Sequence, residues 1–479
     1  MTPYLLTPAE MSEADRLTIA AGTPGIDLME RAGAAVAEAI RQSYPKGPVL
    51  ILCGPGNNGG DGYVAGRLLK EAGWPVRLAA LAPPRAGSDA AHHAALWREP
   101  VEAVLEEMAI GDGIIVDALF GAGLTRPLDP PVRRLLARIE SRHLPLVAVD
   151  VPSGLDGANG EPLGWAPQAD LTVSFFRAKP GHWVMPGRAL CGRLVIADIG
   201  IADSLLDHIK PLISLNDESV WRRLLPTLGL ASHKFTRGHL VIRGGRGMTG
   251  AARLSARAAR RAGAGLVSLC VPEEVAAIYA GDWPGTMVET APWVEAIHDR
   301  RRTAFLIGPG NGPDGATKDA ALAALATGRA VVLDADALTV FSGDIQKLRQ
   351  AIEGALVLTP HAGEFARLFK GTPVLAETGR LAQARKAAAW LGATVILKGA
   401  DTLIAHPNGR IALEGNAPPT LATAGSGDVL AGILAALLAQ GMPCFSAAQA
   451  AVGLHAAAAR QAGAGLIAED IVDCLPTVI

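Results

Sequence analysis

The sequence predicts an α/β protein built as two units of the same class. Three observations carry that prediction. Short uninterrupted apolar runs recur along the chain, each followed by a glycine-containing loop and an alanine-rich stretch, the pattern of parallel strands covered by helices on both faces. The 479 residues exceed the ~250–300 at which a single core stops growing. A fresh strand, glycine loop and helix pattern also begins at Gly238, after a stretch that reads as a closing strand and a connector.

Taken in order, the strand-like runs are Val49–Cys53, Val76–Leu81, Ile114–Val116, Leu146–Val149, Leu240–Ile242, Ala304–Ile307, Ala330–Leu333, Leu356–Leu358 and Thr394–Leu397. The glycine loop after the first run leads into a helix expected over Tyr63–Gly73. Arg193–Ile201 reads as a closing strand and turn, and Pro211–Glu218 as a connector. The boundary is therefore expected within 205–225, giving domains 1–215 and 216–479. Arg253, Arg257, Arg260 and Arg261 alternate with alanines as on an amphipathic helix, whose arginine face is expected in solvent. Ala262–Val267 (AGAGLV) and Ala462–Ile467 (AGAGLI) echo each other, but glycine capping of two helix ends explains both without a repeat.

Composition narrows the function. Apolar residues make up 49% and charged ones 19%, which excludes a disordered chain. Aromatics are only 4% against 55 glycines, so the cores are expected to rest on close backbone packing. With 44 basic and 46 acidic residues there is no basic surface for nucleic acid and no polybasic run for lipid. Val429–Ala459 has no formal charge except a potential one on His455, yet its longest apolar run stops at Ala439, well short of the ~20 residues of a membrane span. Gln440, Gly441 and Pro443 divide it into two expected buried helices. Five scattered cysteines form no zinc or redox spacing and suit a reducing cytoplasm. The opening MTPYLLTPAEMSEADR has no basic start and no long apolar run, so no secretory signal is expected there.

Chemistry concentrates first at Cys53-Gly-Pro-Gly-Asn-Asn-Gly-Gly-Asp61-Gly62. Its opening matches G-x-G-x-x-G, but no acidic residue ends the next strand, where Ala82, Pro83, Pro84 and Arg85 stand, so a dinucleotide fingerprint is incomplete. Gly245–Gly250 matches the same pattern, which shows how little it specifies. The company is more informative. One strand ends at Asp117 before Ala118-Leu-Phe-Gly-Ala-Gly-Leu124, and another at Asp150 before Val151-Pro-Ser153-Gly-Leu-Asp156. Ligands of open parallel sheets bind beyond the carboxyl ends of strands, so Asn58, Asp61, Asp117, Asp150 and Ser153 converge on one crevice, with oxygens suited to a hard cation.

GNNGGDG, DALFGAGL and VDVPSGLD, with LMERAG at Leu28–Gly33, resemble the NAD(P)H-hydrate epimerase family across the first domain. The resemblance implies a Rossmann-like fold that interconverts the R and S epimers of hydrated nicotinamide cofactors, NADHX and NADPHX. It implies substrate contacts from Asn57, Asn58, Gly59, Gly60 and Asp61, and from Gly121, Ala122, Gly123, Leu124, Thr125, Arg126 and Pro127. It further implies a potassium ion (K+) on Asn58, Asp117 and Ser153, with Asp150 at the hydrated ring. Asp150 is the expected acid/base group, because epimerisation moves protons near the C6 hydroxyl. Ala122 replaces a threonine common in that loop, where backbone contacts are expected to dominate.

The second domain shows Gly244–Ala251, Gly308-Pro-Gly310-Asn311-Gly312, Thr359-Pro-His361-Ala-Gly-Glu364, Lys398-Gly399-Ala400-Asp401 and Thr423-Ala-Gly-Ser-Gly427-Asp428. The last loop precedes a helix expected from Val429. Its glycines let backbone N–H groups close on a phosphate at a positive helix end, with Asp428 beside it to exchange a proton with a substrate hydroxyl. Together these motifs are similar to the ribokinase-like fold and, within it, to the ADP/ATP-dependent NAD(P)H-hydrate dehydratase family over most of 217–479. That resemblance implies substrate contacts at Ala251, Gly310, His361 and Asp428, with Asp428 catalytic. It implies nucleotide contacts at Lys398, Gly399, Ala400, Asp401, Thr402 and Gly427, with ADP as cosubstrate and magnesium (Mg2+) on it. Asn311 stands where leucine is commoner.

One repair enzyme unites the halves: the dehydratase accepts one epimer and the epimerase supplies it from the other. A ribokinase-like kinase of a small metabolite with a regulatory N-terminal domain competes, and a stable phosphorylated product would favour it. A non-catalytic nucleotide scaffold would bind without turnover. A conventional dehydrogenase lacks its acidic ribose contact. The expected partners are the small-molecule substrates and further copies of the chain in a homo-oligomer, with neither nucleic acid nor membrane.

Overall fold

The computed structural model describes residues 3–479. The chain divides into two compact units, Tyr4–Ile213 and Ser214–Ile479, with Pro3 belonging to the second.

The N-terminal unit is a seven-stranded sheet of β1 (Val49–Cys53), β2 (Val76–Ala80), β3 (Val101–Ala103), β4 (Ile114–Ala118), β5 (Leu146–Val149), β6 (Leu171–Phe175) and β7 (Arg193–Ala197). The spatial order is β3-β2-β1-β4-β5-β6-β7, with every neighbouring pair parallel. This is the doubly wound order of a Rossmann-like unit, and it reverses between β1 and β4, where a ligand crevice is expected. Alternation within β1 shows the two-sided burial: Val49, Ile51 and Cys53 enter one core, and Leu50 and Leu52 the other. Four helices bear on the site: α1 (Pro8–Ala20), α2 (Gly25–Ser43), α3 (Asn57–Glu71) and α4 (Asp89–Leu96).

Helix α3 begins at Asn57 and not, as the sequence suggests, at Tyr63. Glycines disfavour helices by ~1 kcal/mol each, but here they admit close packing. A Cβ on Gly60 would lie 2.4 Å from the Met29 sulfur, and one on Gly62 2.7 Å from the Ala118 Cβ. The tertiary fit outweighs the propensity.

The C-terminal unit contains β8 (His239–Arg243), β9 (Leu266–Cys270), β10 (Met287–Glu289), β11 (Ala304–Ile307), β12 (Ala330–Leu333), β13 (Leu356–Leu358), β14 (Thr394–Leu397), β15 (Leu403–Ala405) and β16 (Ile411–Leu413). Their order is β16-β15-β14-β13-β12-β11-β8-β9-β10. All of these pairs are parallel except the antiparallel β14–β15–β16 run. Helices α5 (Thr249–Arg261), α6 (Ala362–Leu368), α7 (Ser426–Ala439), α8 (Cys444–Ala462) and α9 (Ala468–Val478) complete the site and its support. The uncharged stretch is thus two buried helices, α7 and α8, and among the described residues no helix is long and apolar enough to cross a membrane. Gly263 and Gly463, both at positive φ, follow α5 and α8, so helix capping accounts for the AGAGL echo.

The arginine face of α5 differs from the expected solvated stripe. Arg253 and Arg257 both bind the buried carboxylate of Asp282, and Arg257 and Arg261 lie over the Trp283 ring. A distant loop supplies the partners, which helical periodicity alone does not reveal.

Candidate functional site

In the N-terminal unit a cleft of about 530 Å³ opens at the β1/β4 reversal. Asn57, Asn58 and Asp61 of α3 line it, as do Gly121 to Leu124, Asp150, Lys179, and Met11, Ser12 and Asp15 of α1. Gly59 and Gly60 face packing neighbours: a Cβ on Gly59 would meet the Gly54 carbonyl oxygen at 1.9 Å. Thr125, Arg126 and Pro127 are exposed outside the cleft wall, where Arg126 pairs with Asp129.

Asp150 is the best anchored of these groups. It follows β5 in the left-handed region, at φ 67, a strained position for a side-chain-bearing residue. Its N–H donates to the Val173 carbonyl at 2.8 Å, and its own carbonyl accepts from His182 Nε2 at 2.8 Å. The Lys179 N–H donates to His182 Nδ1, which leaves the ring proton on Nε2. Burial pushes the His182 pKa down to about 4, so the ring is a neutral brace. The Asp150 carboxylate accepts from Ser174 Oγ and from the Ala122 N–H, both at 2.9 Å, and pairs with Lys179 Nζ at 2.7 Å. Burial works against its charge, but Lys179 and these donors outweigh burial and hold its pKa near 2. The Ala122 contact is through backbone, which a threonine would also supply.

Beneath the cleft, Asp117 and Ser153 are fully buried. The Asp117 carboxylate accepts from the Leu119 N–H, the Ser153 N–H and Ser153 Oγ. Among the described residues no cationic side chain pairs with it, and burial raises its pKa despite those bonds. Asn58 Nδ2 is buried without a hydrogen-bond partner, and turning that amide about its last bond would put oxygen there. A buried carboxylate without a cation, joined to a serine oxygen, has the donor chemistry of a hard monovalent cation site, to which the Asn58 amide would add a further oxygen.

In the C-terminal unit the predicted residues gather at the ends of β8, β11, β13 and β14 and at the start of α7. The first two loops touch: a Cβ on Gly245 would meet the Gly310 carbonyl oxygen at 1.9 Å, and Gly310 itself has φ 66. Asn311 ties them, its Nδ2 donating to the Arg243 carbonyl and its Oδ1 accepting from the Gly308 N–H. Ala251 lies buried in the first turn of α5. His361 caps α6, its Nδ1 accepting from the Gly363 and Glu364 N–H groups, while the side chain stays half-exposed. The Gly399–Thr402 turn is closed by Thr402 Oγ1, and buried Asp401 pairs with Arg380.

Helix α7 begins at Ser426 and not at Val429. Gly425 is its N-cap at φ 85, no side chain caps it, and Ser426 Oγ donates instead to the Leu421 carbonyl. Its first turn is held by its carbonyls: Ser255 Oγ donates to the Asp428 carbonyl, and His455 Nε2 to the Ser426 carbonyl. The Ser426 N–H donates to the Thr423 carbonyl, and the Gly427 and Asp428 N–H groups face the open helix start, where an anion is favoured. Burial, reinforced by Asp334, raises the Asp428 pKa to about 6 even though Lys398 opposes it.

Sequence reasoning missed Asp15, Ser174, Lys179 and His182 in the first site and Asp334 in the second. Asp334 is buried at the end of β12, accepting from Lys398 Nζ at 2.8 Å and from Thr359 Oγ1 at 2.7 Å. The strand-end rule that singled out Asp117 and Asp150 also marks Asp334. Ala335 beside it has φ 46, the kind of backbone strain that clusters at functional sites.

A family model described as YjeF-related protein N-terminus matches residues 25–181, and one described as NAD(P)H-hydrate dehydratase matches 239–475. The two units accordingly have Rossmann-like and ribokinase-like α/β/α folds. A solved structure of ADP/ATP-dependent NAD(P)H-hydrate dehydratase from Bacillus subtilis, co-crystallized with ATP/Mg2+, is 30% identical, covering 55% of this chain and 96% of that chain with a TM-score of 0.49. The bifunctional NAD(P)H-hydrate repair enzyme Nnr of Moorella thermoacetica is 37% identical over 99% of this chain and 96% of its own length. Its counterpart in Escherichia coli is 34% identical over 95% and 89%. That of Salinibacter ruber is 36% identical over 100% of this chain and 96% of that protein. With both units matched in one order along essentially whole relatives, the chain belongs to the bifunctional NAD(P)H-hydrate repair enzyme family.

Proposed function

We propose that residues 1–215 epimerise the R and S forms of NADHX and NADPHX, and that residues 216–479 dehydrate the S form to NADH or NADPH at the expense of ADP. The chain is an enzyme of both classes, isomerase and lyase, as its family is. The observation that carries the division of labour is the pairing of each family motif with its own charged site: Asp150 on Lys179 in one unit, and Asp428 at an uncapped helix start beside Lys398 in the other.

In the first unit the Asp150 carboxylate is the acid/base group at C6, presented to the ring by the Ala122 N–H, Ser174 and Lys179. Asn57, Asn58 and Asp61, with Gly121 to Leu124, form the substrate wall, and Thr125 to Pro127 meet its outer part. Potassium on Asn58, Asp117 and Ser153 would supply a fixed positive charge beneath the cleft, and the oxygen set there fits it.

In the second unit Asp428 takes the proton of the C6 hydroxyl, whose oxygen then receives a phosphoryl group from the nucleotide. Loss of that group as phosphate, pushed by the ring nitrogen lone pair, leaves an N1=C6 cation. A C5 proton then passes to the departing phosphate, the C5–H electrons form C5=C6, the N1=C6 electrons return to nitrogen, and reduced nicotinamide results. The N–H groups at the start of α7, Gly427 and Lys398 bind the nucleotide phosphates, and Gly399 to Thr402 approach its adenosine part. Ala251, Gly310 and His361 hold the dinucleotide. Magnesium would be carried by the nucleotide phosphates and water, its usual oxygen ligands. There it would neutralise phosphate charge. Five free cysteines suit a reducing cytoplasm.

The test uses mixed R and S NADHX with ADP, magnesium and potassium, following reduced-nicotinamide absorbance while spontaneous epimerisation is slow. Recovery from both epimers is expected. Recovery from S alone would remove the epimerase assignment, and accumulation of a stable phosphorylated product would favour a kinase.

A further inference from the structure

Asp61 is the most deeply buried of the N-terminal cleft carboxyls that, among the described residues, have no charge partner. It sits one turn into α3, almost fully buried, and lines the same cleft as Asp150. Asp150 has Lys179, Ser174 and a backbone N–H; among the described residues no ion pair or hydrogen bond reaches the Asp61 side chain. A buried carboxylate without a cation is costly, which favours the protonated form. The nearest acidic groups act in the same direction, and only the Lys179 ammonium opposes them. Asp15 on α1 and Asp150 after β5 are both acidic, as is Asp89 on α4 at the cleft wall, and Cys53 at the end of β1 is buried. The Lys179 ammonium is the one basic group among the cleft-lining residues and is already engaged by Asp150. Burial raises the Asp61 pKa well above the usual carboxylate range, with Asp150 and Asp15 adding to it, and raises that of Asp15 to about 6.

One cleft therefore holds a carboxylate fixed on a lysine and a carboxyl whose surroundings favour its proton, the combination that divides acid from base. Resting on the epimerase reading above, we propose that Asp61 is the proton donor to the departing C6 hydroxyl, and that Asp150 is the acceptor when water returns. C6 bears a hydroxyl and is bonded to the ring nitrogen N1, so the centre is a carbinolamine. The C6–O bond breaks with its electron pair on oxygen, which takes the Asp61 proton and leaves as water. The N1 lone pair forms the N1=C6 bond, so a cationic ring faces the new Asp61 carboxylate. Water then adds to the other face of C6, the N1=C6 electrons return to N1, and a proton of the added water passes to Asp150. Water attached to such a carbon is a strong acid, so a carboxylate of low basicity suffices. The net change is inversion at C6 and one proton moved from Asp61 to Asp150, restored by exchange with solvent, for which half-exposed Asp15 is the adjacent carboxyl.

Asp61→Asn keeps the shape and loses the acidic proton. Epimerisation is expected to fall about 100-fold or more, with dehydration of the S epimer by the same protein as the internal control. The wild-type rate is expected to decline at high pH as Asp61 ionises, and that limb to vanish from the residual activity of the variant. A second measurement needs no variant: in heavy-oxygen water each wild-type inversion should place one labelled oxygen at C6. An Asp61→Asn protein with the wild-type rate and pH profile would overturn the proposal, as would inversion that retains the original oxygen. A wild-type protein that dehydrates the S epimer without epimerising would overturn the epimerase reading itself.

Discussion

The N-terminal cleft gives its lysine to the motif carboxylate, whereas the C-terminal site withholds it. Lys179, 2% exposed, is spent on Asp150, which is held near pKa 2. Lys398 is spent on Asp334, a residue outside the recognised motifs, and Asp428 is left with a pKa of about 6. Burial raises both motif carboxyls; the lysine pairing decides which remains raised. The difference matches the chemistry. A permanent carboxylate suits the capture of a proton from water bound to a cationic carbon, while a carboxyl that titrates near neutrality suits removal of a proton from an ordinary alcohol.

The sharpest way to break this comparison is to delete each carboxyl in turn. Asp428→Ala should lower dehydration by about 100- to 10,000-fold and leave epimerisation intact, and Asp150→Ala should do the reverse. Separate assays of S-epimer dehydration and R-to-S conversion read the two effects. Loss of both activities from a folded single variant would show that the two sites are not independent.

Lys179→Met tests what the pairing is worth to the fold. It leaves Asp150 buried without a cation, and removing one partner of a buried pair typically costs ~3–5 kcal/mol. Denaturant unfolding of the variant should show a loss of that order. Adding Asp150→Asn should recover part of it, since no unpaired charge remains, and simple additivity of the two losses would mean that the pair does not interact.

The pH profiles should differ in the same sense. Asp428 acts as a base, so dehydration should rise with pH through about 6 and then level off. Asp334→Asn removes a negative neighbour that raises the Asp428 pKa, so its rising limb should move to lower pH. Asp150 stays ionised to about pH 2, so epimerisation should show no rising limb from it above pH 4. For stability the sign is that of a depressed carboxyl. The Asp150 contribution is fully present above its unfolded pKa of ~3.9 and is lost as pH falls towards about 2. An unchanged acid limb in Asp334→Asn, read from kcat against pH, would remove Asp334 from the account.

Most of the sheet was legible because buried parallel strands are uninterrupted apolar runs: β1, β5, β11, β12, β13 and β14 fall on the runs read from sequence, residue for residue. The strands β6 and β9 were not, because Thr172, Ser174 and Ser268 interrupt them. Each of these buried hydroxyls has a partner far along the chain: the Cys191 carbonyl, Asp150, and His239 with Glu289. The same limit hid Lys179. AKPG after an interrupted strand signals only a turn, and its ion pair exists because β5 and β6 are neighbours. Asp15 was hidden for a different reason, since no motif marks the opening segment and only the fold brings α1 to the cleft. Helix starts were missed where glycines occupy the first turns, at Asn57 and Ser426, because propensity argues against helices that tertiary packing imposes.

The mildest test compares two glycines, one in each site and neither at a positive φ. A Cβ on Gly121 would lie 3.0 Å from Asp150 Oδ2 and 3.1 Å from Asn58 Oδ1, so Gly121→Ala must displace one of them by a few tenths of an ångström. Asp150 cannot yield freely, being held by Lys179, Ser174 and the Ala122 N–H. A misplacement of ~1 Å at a reacting group costs about 100-fold, so this smaller shift should lower kcat for epimerisation by about 10-fold with little change in Tm. A Cβ on Gly427 would lie 3.5 Å from Lys398 Nζ, an ordinary contact. Gly427→Ala should therefore raise KM for the nucleotide only a few-fold and spare kcat. Equal losses of kcat in the two variants would mean that the Asp150 cradle is no stiffer than the anion loop, and that the fixed lysine pairing is not what separates the sites.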